Sequence, residues 1–302
     1  MACFHPVKCW RKRDADPVSG KHGITFNKAE GYEDLPITIP CQQCVGCRID
    51  RSKEWAIRCH HEASLWSDNC FITLTYNAAN LPRDLSCDYR VFQLFMKRLR
   101  KKYGKGIRFF HCGEYGEENG RPHYHALLFN HDFHDKVKWK ESKGKIIYMS
   151  AELQELWPYG LCTTQDCTLA SASYCARYIM KKVTGKPAEE HYSWTDPVSN
   201  ITYDRKPEYC QMSLKPGLGL EWYRQFKDDI YPDDFVVIDG KKYKIPSYYQ
   251  QQLEKEDERE AERILFRAKK KARAQAHNST PERLAVRKKV TEARIAKNER
   301  SL

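Results

Sequence analysis

The sequence has no run of about 18 apolar residues, the least that crosses a bilayer as a helix. Its first residues, Met1-Ala2-Cys3-Phe4-His5-Pro6, lack the apolar core of a signal peptide. No membrane partner is therefore expected, and the expected compartment is a cytoplasm. There is no Gly-x-x-x-x-Gly-Lys-[Ser/Thr] phosphate loop; Gly185-Lys186-Pro187 is not one. The chain thus carries no evident helicase. No internal repeat is evident, which sets aside repeat architectures. A second Cys-x-x-Cys pair is also missing, so this is not a standard zinc finger.

What is present is basic charge. The 302 residues carry a formal net charge of +12, with 30% charged and 41% hydrophobic residues. That is enough apolar material for one good core. An excess of cations points to a polyanionic partner, without separating DNA, RNA and anionic membrane. Thirteen cysteines without a secretion signal point to reduced thiols or metal binding, not to a disulfide framework.

The stretch around which the chain is organised runs from Gly113 to Phe129. Ile107 to Cys112 is a short apolar run, Asn119-Gly120 is a hairpin-turn signal, and His123 to Phe129 is again apolar and aromatic. Strand, turn, strand is the expectation. Side chains at i and i+2 share a strand face, so His123 and His125 point the same way. Two neutral imidazoles side by side are half of a transition-metal site. Glu114 or His111, on the preceding strand, supplies a third ligand. Such a set leaves positions open on a six-coordinate ion such as Mg²⁺ or Mn²⁺. Glu117 and Glu118 lie in the turn and are expected to be solvated.

A second set lies downstream. Ser171 to Lys182 has helical composition, with Tyr174 and Tyr178 four apart on one helix face and Lys181 and Lys182 close behind. Phenols near a metal and basic groups form a nucleophile set for phosphodiester attack. Upstream, Cys41-x-x-Cys44-x-x-Cys47 aims three sulfurs at one point. A tetrahedral zinc needs a fourth ligand; Cys3 is taken first, with Cys9, Cys59, His60 and His61 as alternatives.

The remaining chain reads as follows. Residues 1–40 are expected to be loops with one short hairpin. Arg48 to Trp66 carries an apolar helical stripe. Phe71 to Tyr76 is a strand. Asp88 is a helix N-cap, with Val91, Phe92, Phe95 and Leu99 on the buried side. His131 to Lys145 is expected to be a loop, as is the polar stretch 186–207. Ala151 to Leu156 is a short helix, Leu161 to Thr168 has β character, and Glu208 to Leu214 is a last strand. Leu220 to Phe226 is a helix, and Phe235 to Tyr243 a hairpin around Asp239-Gly240. From Ser247 onward the chain is charged and helical, interrupted near Asn278 to Pro281.

His-hydrophobic-His on a strand, followed by Tyr-x-x-x-Tyr-hydrophobic-x-Lys on a helix and preceded by Phe71-Ile72-Thr73-Leu74-Thr75, resembles the HUH rolling-circle replication initiators. The wording is most similar to the initiators of small single-stranded DNA phages, the microviruses of gokushovirus type. The stretches concerned are Cys41 to Arg48, Glu54-Trp55-Ala56-Ile57-Arg58, Gly113 to Gly116, Gly120 to His125 and Pro216-Gly217. The resemblance implies an α+β HUH endonuclease fold, with an antiparallel sheet of about five strands flanked by helices. It implies a Cys-rich N-terminal segment with its leading helix over 1–66, a nickase core over 67–215, and a C-terminal extension with a charged helical tail over 216–302. It implies origin nicking by Tyr174 and Tyr178, assisted by Lys181 and Lys182, with Mg²⁺ or Mn²⁺ held by His123, His125 and Glu114. Cys41, Cys44, Cys47 and Cys3 would hold a structural Zn²⁺. The implied partners are single-stranded DNA at the origin and a host helicase and polymerase, in the host bacterial cytoplasm. Competing readings are a plasmid relaxase or mobilisation nickase, and a non-catalytic zinc-stabilised nucleic-acid-binding protein.

Overall fold

The computed structural model describes residues 3–116, 119–142, 144–177, 182–183, 185–196, 199–231 and 233–299. The chain divides into two units, one of Met1–Arg51 with Arg263–Leu302 and one of Ser52–Glu262. In chain order the elements are β1 (Val7–Ala15), β2 (His22–Thr25), β3 (Gly31–Ile39), α1 (Val45–Ala63), β4 (Asn69–Thr75), α2 (Tyr89–Tyr103), β5 (Arg108–Tyr115), β6 (Pro122–Phe129), β7 (Val137–Ser142), β8 (Lys145–Met149), α3 (Ala151–Leu156), β9 (Cys162–Asp166) and α4 (Leu169–Arg177). There follow α5 (Pro187–Tyr192), β10 (Ser193–Thr195), β11 (Thr202–Asp204), β12 (Tyr209–Met212), α6 (Leu220–Ile230), β13 (Phe235–Ile238), β14 (Lys241–Lys244), α7 (Ser247–Glu256), α8 (Glu258–Ala274) and α9 (Pro281–Glu299).

The unit of Ser52–Glu262 is built on a seven-stranded antiparallel sheet in the order β12-β5-β6-β4-β9-β8-β7. Its central strands are apolar on both faces because helices cover both. On one face Ile72, Leu74, Tyr124, Ala126 and Leu128 pack against Phe92, Phe95 and Leu99 of α2, Leu153 of α3 and Trp157. On the other, Phe71, Phe110, Cys112, Leu127 and Phe129 meet Ala56 and Cys59 of α1 and Ala172, Cys175 and Ala176 of α4. In so apolar a strand as β6, two histidines need a local reason.

Helix ends follow local chemistry. The Asp88 side chain accepts a hydrogen bond from Arg90 N, as an N-cap should, and α2 stops at Gly104 with φ 103°. Ser150 caps α3 through Leu153 N. The first long helix ends at Ala63, short of Trp66, because the Asn69 amide donates to the carbonyls of both Ala63 and Trp66.

The antiparallel sheet flanked by helices is as expected, with seven strands in place of about five. The difference is largely β7 and β8, in a stretch read as loop. Its alternating charges hide the strand, since every β7 residue is exposed and no apolar face marks it. Residues 186–207 likewise contain α5 and the β10–β11 hairpin. The tail is helical as expected, with the break between α8 and α9.

The unit of Met1–Arg51 with Arg263–Leu302 contains a three-stranded antiparallel sheet, order β2-β1-β3, where loops and one hairpin were expected. Cys3, Cys41, Cys44 and Cys47 cluster in the same unit.

Candidate functional site

The register of β5, β6 and β4 assembles the site. Glu114 pairs with His123 and Cys112 with His125 across β5–β6. Thr73 pairs with His125 and Thr75 with His123 across β4–β6. Directly paired residues share a face, so Glu114, His123, His125, Thr73 and Thr75 lie together. His125 Nε2 is 2.7 Å from Glu114 Oε1, both side chains being buried. His125 Nδ1 is 3.0 Å from Thr73 Oγ1. With the Nε2 proton given to the carboxylate, Nδ1 accepts from the Thr73 hydroxyl. With Nε2 engaged as a ligand, Nδ1–H donates to the same oxygen. The threonine therefore orients the ring in either state.

His123 is half-buried. Burial holds its pKa below the ordinary histidine range, with His125 adding to the effect and Glu114 opposing it. The imidazole is thus kept neutral, the form that ligates metals. Gly116 lies against it; a Cβ there would come within 2.9 Å of His123 Cε1. The bare backbone lets the loop close over the ring.

Helix α4 lays Tyr174 on this face. The phenol ring stands edge-on to His125, at 5.3 Å between centroids and 89° between planes, and edge-on to Phe71 at 6.0 Å. Phe71 itself stacks on His125 at 5.7 Å. The Arg177 guanidinium lies 5.8 Å from the Tyr174 ring centroid. Beneath them Cys175 of α4 approaches Cys112 of β5, sulfur to sulfur 3.5 Å, and burial raises both thiol pKa values. These are unreactive packing thiols. Lys182 is exposed. Tyr178, Lys181, Glu117 and Glu118 lie outside the described residues.

His111, the alternative third ligand, is on the other face. It stands three residues before Glu114, and the two-residue period of a strand separates them. Its ring stacks on Phe92 at 3.6 Å and neither nitrogen has a hydrogen-bond partner. Burial holds it far below the usual histidine pKa.

The donor set of Glu114, His123 and His125, one carboxylate and two imidazoles, suits a divalent ion with open positions. Among the described residues, however, the group of three or more potential ligands whose donor atoms all fall within 4.8 Å of one another is Cys3, Cys41, Cys44 and Cys47. Glu114 and His125 instead close on each other, and an ion would take the place of the shared proton.

The cysteine cluster is shaped by backbone N–H groups turned towards sulfur. Cys41 N donates to Cys3 Sγ at 3.2 Å, Cys44 N to Cys41 Sγ at 3.3 Å, and Phe4 N to Cys44 Sγ at 3.3 Å. Burial pushes the Cys44 thiol up, but hydrogen bonds from Phe4 and Cys47 outweigh it, and its pKa falls to about 6. Burial and its sulfur neighbours raise Cys47. Four crowded sulfurs sharing one negative charge could hold a metal. Of the alternatives for the fourth position, His61 is held elsewhere, stacked 3.4 Å from Trp222 and bonded through Nδ1 to Tyr249 Oη at 2.9 Å.

Phe71 and Thr73 were legible in the sequence as strand residues, without roles at the site. Their signal is the period of β4, which puts Phe71, Thr73 and Thr75 on one face; only the pairing register shows that this face meets His125.

The fold and site define a mixed α/β protein whose antiparallel sheet presents two imidazoles and a carboxylate beneath a helical tyrosine. The family model of replication-associated proteins of the ORF2 type matches residues 69–183. The chain is 32% identical over 261 residues to replication-associated protein VP4 of Bdellovibrio phage phiMH2K, covering 83% of this chain and 76% of that protein. It is 31% identical over 277 residues to replication-associated protein ORF2 of Spiroplasma virus 4, covering 85% and 81%. It is 29% identical to replication-associated protein ORF4 of Chlamydia phage 1, covering 75% and 57%. No solved structure matches. The chain belongs to the replication-associated proteins of small single-stranded DNA phages. Among the described residues, no helix is long and apolar enough to cross a membrane.

Proposed function

We propose that the protein initiates rolling-circle replication by nicking single-stranded DNA at the origin, as an HUH-type endonuclease, and later rejoins the displaced strand. The observation that carries the reading is the placement of the Tyr174 ring 5.3 Å from that of His125, on the sheet face shared with Glu114 and His123. The names of its relatives, which speak of replication, support the same reading.

Glu114, His123 and His125 would hold Mg²⁺ or Mn²⁺. When bound, such an ion supplies Lewis-acid polarisation of the scissile phosphate. Thr73 orients His125 for ligation. The hydroxyl of Tyr174 attacks phosphorus in line, its proton passing to solvent. The bond from phosphorus to the 3′ oxygen breaks, and that oxygen takes up a proton. The products are a 5′-phosphotyrosine and a free 3′-hydroxyl, which primes synthesis. The tyrosyl ester conserves the phosphodiester bond, so attack by a 3′-hydroxyl reseals the strand without ATP. Tyr178 is assigned the second cleavage of the cycle. Lys182, with Lys181, is assigned to the phosphate and to favouring phenolate, whose ordinary pKa is near 10. The nickase core would be 67–215, between the Cys-rich segment 1–66 and the extension 216–302. The four-cysteine cluster would hold a structural Zn²⁺. Unwinding and synthesis fall to a host helicase and polymerase in the host bacterial cytoplasm.

The test is a denaturing gel of the protein mixed with single-stranded DNA of its replicon and Mn²⁺ or Mg²⁺. A metal-dependent covalent adduct on a 5′ end, absent in the double variant Tyr174→Phe with Tyr178→Phe, is the expected result. No adduct from a folded sample that binds the DNA would sink the nicking role and leave a non-catalytic binding protein, with Tyr174 as a packing residue.

A further inference from the structure

The three-stranded sheet of the N-terminal segment has almost no core. In β1 Cys9 is buried and Trp10 half-buried, and the other residues are exposed. In β2 only Thr25 is buried, and β3 buries only Gly31, with Ile37 and Ile39 half-buried. A sheet of nine-residue strands with so little burial is not explained as a folding core.

Its exposed content is cationic and aromatic. The Lys8 ammonium lies 5.6 Å over the Trp10 ring. Arg11, Lys12 and Arg13 follow as three consecutive cations on the strand, so both of its faces are basic there. Phe26, 62% exposed, follows β2, and Tyr32, 42% exposed, stands near the start of β3. The acidic residues of the segment are largely occupied locally. Asp16 accepts from Val18 N, Ser19 N and the Ser19 hydroxyl. Glu30 accepts from Thr25 and Asn27. Glu33 pairs with Lys28. Asp14 and Asp34 remain as exposed acids beside the cations. Cations interleaved with exposed aromatic rings on an open sheet are the recurrent chemistry of single-strand binding, in which phosphates meet the charges and bases stack on the rings. The cysteine cluster ties the two ends of this segment, with Cys3 before β1 and Cys41, Cys44 and Cys47 after β3.

We propose that the β1–β3 sheet is a second single-stranded DNA-binding surface, separate in sequence from Glu114, His123, His125 and Tyr174. The proposal rests on the proposed replication role only for the choice of DNA as the polyanion. Its test reads binding, not nicking.

The experiment is fluorescence anisotropy of a labelled oligothymidylate with the full chain over a range of KCl. The triple variant Lys8→Ala, Arg11→Ala, Lys12→Ala is compared with a control of equal charge loss, Lys241→Ala, Lys242→Ala, Lys244→Ala, in the β13–β14 hairpin. The first triple should bind about tenfold or more weakly at low salt. Its log–log salt slope should be shallower by about 2, from roughly 0.7 for each phosphate that is no longer neutralised. The control should keep the wild-type slope. Equal losses in both triples would assign the effect to net charge, and an unchanged first triple would remove the surface; either overturns the proposal. So does a loss confined to duplex DNA. Should the first triple fail to fold, Phe26→Ala with Tyr32→Ala leaves the cations in place. A roughly tenfold loss supports the stacking surface and no loss overturns it. The Tyr174→Phe, Tyr178→Phe protein should bind oligothymidylate like wild type, so failure of the nicking role and failure of this surface are read separately.

Discussion

Seven of the eight residues of β6 are buried, against one of the nine in β1. The two sheets are therefore held by different forces. The seven-stranded sheet is fixed by helices packed on both faces, and its register places Glu114 opposite His123 without help from any ligand. The three-stranded sheet has its ladders and little else. What holds its segment is the cluster of Cys3, Cys41, Cys44 and Cys47, whose sulfurs lie within 4.8 Å of one another. One region is organised by hydrophobic burial, the other by sulfur chemistry, and they should fail under different insults.

The largest expected effect is at the site. Glu114→Ala removes both the carboxylate donor and the partner of His125, and adduct formation should fall about a thousandfold, ~4 kcal/mol. Mn²⁺ affinity, read by calorimetry, should fall with it. His111→Ala should spare Mn²⁺ affinity, since that ring lies on the opposite face; loss of Mn²⁺ binding there with Glu114→Ala spared would reverse the assignment.

Next in size is the sulfur cluster. A strong chelator, or Cys44→Ser, should lower the local stability of the β1–β3 segment by ~3 kcal/mol or more. Hydrogen exchange is the measurement. Amides of β1 and β3 should lose protection while those of β5 and β6 keep theirs. Equal loss in both sheets would mean that the cluster supports the whole chain.

Acid should act on the buried sheet and its surroundings. Burial holds His61 at about 3 and His111 well below its usual value, against about 6.5 when unfolded. The unfolded chain therefore binds more protons between those values, so stability is present above about pH 6.5 and is lost as pH falls below it. Between pH 6.5 and about 5.5 the two groups together should cost ~2 kcal/mol in urea unfolding. His111→Leu should remove about half of that slope.

The smallest effect is a cap. Asp88→Ala should cost ~1 kcal/mol by freeing Arg90 N at the start of α2. The thermal midpoint should drop with no change in Mn²⁺ affinity.

Much of the site was legible in the sequence. The period of β6 put His123 and His125 on one face, and the Asn119-Gly120 turn brought Glu114 back beside them. Three cysteines at regular spacing announced the cluster. Less legible were β7 and β8, because a strand exposed on both faces leaves no apolar period to read. The same holds for β1 to β3, where exposed cations replace alternation. Thr73 was legible only as part of a β-rich run, because a hydroxyl at a strand position signals nothing until its cross-strand neighbour is known.

The sequence alone determined the periods: which residues share a strand face, where α2 and α3 begin, and which cysteines stand close along the chain. Local sterics and side-chain hydrogen bonds set these, and they act over a few residues. The tertiary structure decided the pairings. Thr73 meets His125 across 52 residues, and Cys3 meets Cys41 across 38. His111 turns to Phe92 and away from Glu114 because helices cover both sheet faces and each side chain must enter one or the other. Register and burial are properties of the whole packed core, and no window of the sequence contains them.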